Sequence, residues 1–136
     1  MVEAAAALLL VRIGLWTLPF SVLRAAIERI PMHTRHSRID SPSDIGRIVN
    51  AVARRLPVRM TCLVEALAAK AMLRRRGYES TVQYGVRSGP TGGRALNSHA
   101  WLLCGGRIVV GEIEELGAYA TLRVQGARAR DAEPDC

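Results

Sequence analysis

The order of hydrophobic periods along the 136 residues predicts one α+β domain. Apolar positions recur at helical spacing from Val2 to about Arg76, and beyond Gly77 the period falls to two. Gly105-Gly106 between two apolar runs adds a hairpin signal, so the sheet is expected to be short and antiparallel.

The elements follow in order. Val2 to Thr17 reads as a first helix, and Ser21 to Ile30 as a second after the break at Pro19. Both are too apolar to stand alone in water. Met32 to Asp40, polar and basic with His33 and His36, reads as a loop, and without a cysteine or carboxylate cluster beside the histidines no metal site is expected there. Ser41-Pro42-Ser43-Asp44 announces a third helix: Ser41 caps, Pro42 suits the first turn, and Asp44 completes a capping box. Its core stripe is Ile45, Ile48, Val49, Val52 and Leu56, and it stops before Pro57. The fourth helix runs from Cys62 to Arg76 with Val64, Leu67, Ala68, Ala71 and Met72 inward, closed by Arg74, Arg75, Arg76 and Gly77. Val82, Tyr84 and Val86 alternate as in a strand. A Gly-rich loop from Ser88 to Asn97 precedes a strand that His99 opens and whose Ala100 to Cys104 is apolar on both faces, hence central. Arg107 to Val110 returns as its partner, and beyond about Val124 a polar tail is expected to be disordered, with Cys136 incidental.

Composition narrows the classes. The net charge of +7 is carried by arginines apart from Lys70, which suits an acidic partner. Six aromatic residues supply few stacking platforms for single-stranded nucleic acid. Three cysteines without a CxxC or Cys/His spacing argue against a disulfide framework and a zinc site, and fit a reducing cytoplasm. Ala4 to Leu23 is apolar enough to raise the question of a membrane span. Arg12 near its middle, Pro19, and Glu3 in place of a basic flank argue against a span or a secretory signal, so a core helix or a partner surface is expected.

Cys62 stands at a helix start and His99 on a strand. Such a thiol and imidazole, brought together by the fold, form the nucleophile pair of papain-like and transglutaminase-like enzymes. Helix N-terminal placement favours negative charge on Cys62, and the unpaired amides there suit a developing oxyanion. Thr61 and the Cys62 amide are the candidate contributors. A third group should orient the imidazole. If Gly105-Gly106 is a two-residue turn, Cys104 faces Arg107, and equal steps away from the turn set His99 opposite Glu112. Glu112 is therefore the expected third member. A slip of one residue would send it to the other face.

The runs Cys62-Leu63-Val64-Glu65-Ala66-Leu67-Ala68, Leu73-Arg74-Arg75-Arg76-Gly77-Tyr78, Ser98-His99-Ala100-Trp101 and Gly106-Arg107-Ile108-Val109-Val110-Gly111 carry a family resemblance. They resemble the transglutaminase-like leader peptidase of lasso peptide biosynthesis, in its stand-alone form, over about Ser41 to Tyr119. The resemblance implies a papain/transglutaminase-like fold and a cysteine protease that cuts the leader from a ribosomally made precursor through a thioester. Cys62 would be nucleophile and His99 general base, then acid, with no cofactor and no metal. Implied partners are the precursor leader, a separate leader-recognition protein and an ATP-dependent lasso cyclase, with no nucleic acid and no membrane. The family usually offers Asp as third member, whereas no Asp follows His99 until Asp131, so Glu112 must substitute. On this reading 1–40 is an apolar helical segment and basic loop, 41–124 the peptidase core and 125–136 the tail. Two rivals stay open: an acyltransferase or amidase on the same Cys-His site, and a basic adaptor that binds nucleic acid or membrane without catalysis.

Overall fold

Helices precede strands throughout the computed structural model of the chain, which describes residues 1–32, 41–88, 96–114 and 116–122. The expected loop with His33 and His36, most of the Gly-rich loop, and the tail with Cys136 lie outside the described residues. Helix α1 spans Val2–Thr17 and α2 Phe20–Glu28. Leu18 between them is extended, the conformation a following proline imposes. Helix α3 spans Pro42–Ala53, and its start is the anticipated cap: the Asp44 amide donates to Ser41 Oγ at 3.2 Å, while the Ser41 hydroxyl donates to the Asp44 carboxylate at 2.7 Å.

Helix α4, Cys62–Arg75, begins under Thr61, whose Oγ1 accepts from the Val64 amide at 3.4 Å. It ends with Tyr78 N donating back to Leu73 O at 3.1 Å across Gly77, whose φ is +84°. The arginines at that end are spent on tying helices together. Arg76 and Arg75 reach the Glu3 carboxylate at 2.8 and 3.1 Å, and Arg74 Nε donates to Ile30 O at 2.9 Å. These contacts pin both N-terminal helices against α4.

The sheet has four strands, β1 (Thr81–Ser88), β2 (Leu96–Cys104), β3 (Arg107–Val110) and β4 (Ala120–Leu122), antiparallel in the order β3-β2-β1-β4. Two features depart from expectation. β2 starts at Leu96, so His99 lies inside the strand, because Leu96, Asn97 and Ser98 pair with Ser88, Arg87 and Val86. β4 has no periodic signal of its own; after a 3-10 turn at Leu116–Ala118 it closes the outer edge of β1.

The core lies between α4 and the sheet, roofed by α1 and α3. Leu8, Ile45, Val49, Leu67, Leu73, Leu102 and Val110 are all but fully buried, each such side chain contributing about 1.5–3 kcal/mol of transfer free energy. Ala100, Leu102 and Cys104 are the buried alternate positions of β2. Cys62 keeps a free thiol, and the Cys104 sulfur lies 3.3 Å from Glu79 O at the end of β2. Only one side of α1 enters the core, at Ala4, Leu8, Val11 and Gly14. Leu10, Ile13 and Trp16 on the other side are exposed, Trp16 to 93%. Among the described residues no helix is long and apolar enough to cross a membrane.

Candidate active site

Cys62 occupies the first turn of α4 because the chain needs a helix start after Pro57 and Thr61 supplies the cap. The first intrahelical bond runs from Glu65 N to Thr61 O at 3.1 Å, and the Thr61 hydroxyl takes the Val64 amide. The amides of Cys62 and Leu63 precede that ladder and have no intrahelical acceptor, which leaves donors beside the sulfur. Thr61 itself is engaged as a cap, so of the two oxyanion candidates the Cys62 amide is better placed.

His99 reaches the same place from β2. Cys62 and His99 line one cavity of about 320 Å³. The imidazole is framed by aromatic rings: Trp101 is stacked at 6.1 Å between centroids and Tyr119 tilted at 5.7 Å. Gly85, the cross-strand partner of His99, permits this, because a Cβ there would meet the Trp101 ring and Tyr119 Cβ at 2.9 Å. The Trp101 indole is itself fixed, donating to Gln83 Oε1 at 3.0 Å.

The orienting bond is a main-chain one. His99 Nε2 lies 2.8 Å from Gly111 O. A carbonyl can only accept, so Nε2 carries the proton and Nδ1 of the neutral ring keeps its lone pair. Gly111 has φ +87°, and a Cβ there would meet Ala100 O at 2.7 Å and Trp101 Cα at 2.9 Å. Only glycine fits that approach without strain.

The register behind Glu112 is corrected by the hairpin. Cys104 faces Arg107 and Leu103 faces Ile108 as expected, but Leu102 then faces Val110. Val109 is an extra residue, a β-bulge that shifts every later pairing by one and ends the ladder at Val110. Glu112 is therefore not set opposite His99 by the ladder, and its residue is exposed. Glu65, one helical turn beyond Cys62, is an acid whose carboxyl feels the charge of His99. Burial raises the Glu65 carboxyl above its ordinary value, opposed by Arg54 and by His99. Sequence reasoning passed over both Gly111 and Glu65. A glycine after a β3 valine gave no sign of φ, although Glu65 at i+3 from Cys62 did mark the same helix face.

Among the described residues no group of three His, Cys, Asp or Glu side chains is arranged to hold a metal ion.

A helix-borne thiol and a strand-borne imidazole lining one cleft are the elements of the thiol hydrolases and acyltransferases. The model of the transglutaminase-like superfamily matches residues 5–124, and the chain belongs to that superfamily, a family of cysteine-protease and acyltransferase type. No curated protein and no solved structure matches the chain significantly.

Proposed function

We propose that this protein is a cysteine peptidase that removes the leader from a lasso precursor peptide in the cytoplasm, with Cys62 as nucleophile and His99 as general base and then acid. The observation that carries the reading is the Gly111 carbonyl on Nε2, which leaves Nδ1 as the basic nitrogen of a ring that lines the same cavity as Cys62. Nδ1 takes the thiol proton as sulfur attacks the scissile carbonyl, and the Cys62 and Leu63 amides receive the oxyanion. The imidazolium then protonates the leaving amine, the C–N bond breaks and a thioester remains. Water, deprotonated by the same nitrogen, opens the thioester and restores the thiol. The residues alone perform this chemistry, without a cofactor.

The lasso assignment rests on the sequence runs around Cys62, His99 and Gly111. The exposed apolar side of α1 supports a protein partner, which in such a system is the separate leader-recognition protein, and the freed core would pass to the ATP-dependent cyclase.

The test is incubation of the purified protein with precursor peptide and recognition protein, followed by mass spectrometry. Free leader and core whose masses sum to that of the precursor plus one water are expected, with turnover lost by about a thousandfold or more in Cys62→Ala and His99→Ala. Unchanged cleavage in Cys62→Ala overturns the reading. A product carrying the leader on an added amine identifies an acyltransferase instead.

A further inference from the structure

The cavity beside Cys62 has a composition unlike the rest of the surface. In a chain that is 23% charged, no Lys, Arg, Asp or Glu among the described residues lines it, and the walls are almost wholly carbon. Its far wall comes from three elements. Phe20 comes from the start of α2, Tyr84 from β1 and Leu122 from β4. Phe20 and Tyr84 meet edge to face, with centroids 6.0 Å apart at 87°. Tyr84 and Leu122 are direct cross-strand partners. Leu63 and Ala100 complete the wall next to the sulfur and imidazole.

We propose that this cavity is a specificity pocket for a leucine- or phenylalanine-sized apolar side chain flanking the bond that is cut, with Phe20, Tyr84 and Leu122 setting the preference. The proposal rests on the peptidase reading for its substrate, a peptide, and adds the class of residue that reaches the nucleophile. An apolar side chain entering the cavity leaves water for carbon surroundings. A charged one gives up its hydration with no counter-charge among the lining residues. The cavity is at the small end of ligand sites, about 300–1,000 Å³, and so suits side chains of one short segment. Phe20 also brings α2 into the substrate site, so the N-terminal segment belongs to the working surface of the domain.

Disulfide exchange at Cys62 reads the pocket without requiring catalysis. Cysteamine capped with isovaleryl, phenylacetyl, acetyl or succinyl groups is coupled to the protein as a mixed disulfide and mapped to Cys62 by peptide mass. The 2-mercaptoethanol concentration that halves each adduct is then measured. The isovaleryl and phenylacetyl adducts are expected to withstand roughly tenfold more reductant than the acetyl and succinyl ones, the range that small apolar pockets give. Phe20→Ala and Leu122→Asp should each shrink that gap. Leu122 is 48% exposed, so its substitution leaves the fold intact even if Phe20→Ala does not fold. Equal resistance of all four adducts, strongest retention of succinyl, or a gap unchanged in Leu122→Asp overturns the pocket. Apolar preference in a protein that leaves the precursor uncut would keep the pocket and remove the peptidase reading.

Discussion

His99 shows how a few neighbouring atoms decide what an imidazole does. Its Nε2 is committed to the Gly111 carbonyl, its ring contacts Trp101 and Tyr119, and its charge is felt at the Glu65 carboxyl. Glu65→Gln should therefore lower turnover by roughly tenfold, within the range of general acid–base contributions, while Glu112→Gln stays within about twofold. Steady-state rates of the two variants side by side check this. The Glu65 substitution also has a stability signature. The acid is protonated in both states at low pH, but because burial raises the folded Glu65 carboxyl above its ordinary value of 4.5, the unfolded chain ionises first as pH rises. Glu65 thus costs stability above that window, and Glu65→Gln should melt higher than wild type near pH 7 with no gain near pH 4. Melting curves at the two pH values decide it. Gly111→Ala places a Cβ against Ala100 O in a left-handed backbone conformation. The expected result is a loss of about 1–3 kcal/mol of stability and a matching loss of activity, measured by denaturant titration and by turnover of the fraction that stays folded.

At the scale of elements, Glu3 joins the first turn of α1 to the last turn of α4. The Arg76 hydrogen bond holds the Glu3 carboxyl below its ordinary value, helped by the charges of Arg76 and Arg75 and opposed by partial burial. That contribution is fully present above pH 4.5 and is lost as pH falls through the lowered value. Both partners are partly solvated, so Glu3→Gln should cost only about 0.5–1 kcal/mol at neutral pH, a difference that vanishes in acid. The four helices were legible because each carries its own punctuation: Pro19, the Ser41 cap, the Cys62 start after Pro57, and Gly77. The β1, β2 and β3 strands were legible from period and turn. β4 was not, since three residues show no period and its place depends on an edge that β1 leaves open. The candidate pair Cys62 and His99 was readable from residue type and element. The third position was not, because a single bulged residue, Val109, resets the register between a hairpin turn and everything beyond it, and nothing local in Ile108-Val109-Val110 announces the bulge.

The whole molecule is two-sided. Its charge of +7 is spread over arginines, yet the outward side of α1 presents Leu9, Leu10, Ile13 and Trp16 to solvent. Such a side is apt to pack against another protein, and left bare it favours self-association. Ile13→Lys combined with Trp16→Lys should reduce light scattering by the isolated protein, leave its melting temperature nearly unchanged, and abolish co-purification with the recognition protein. A variant that still co-purifies would move the partner surface elsewhere. The same helix sends Leu8 and Val11 into the core, and α2 sends Phe20 to the cleft.

The acceptor that holds His99 is an amide carbonyl, and an amide carbonyl does not titrate. A ring steered by a carboxylate loses its guide when that carboxylate is protonated. Here the guide is as strong in acid as at neutrality, and it survives any side-chain substitution that leaves the main chain in place. What it does not supply is a negative charge. On the proposed mechanism the imidazolium formed in each turnover would be balanced by the thiolate and, through space, by Glu65, so that catalysis would depend on a charge pair made and unmade with the reaction itself.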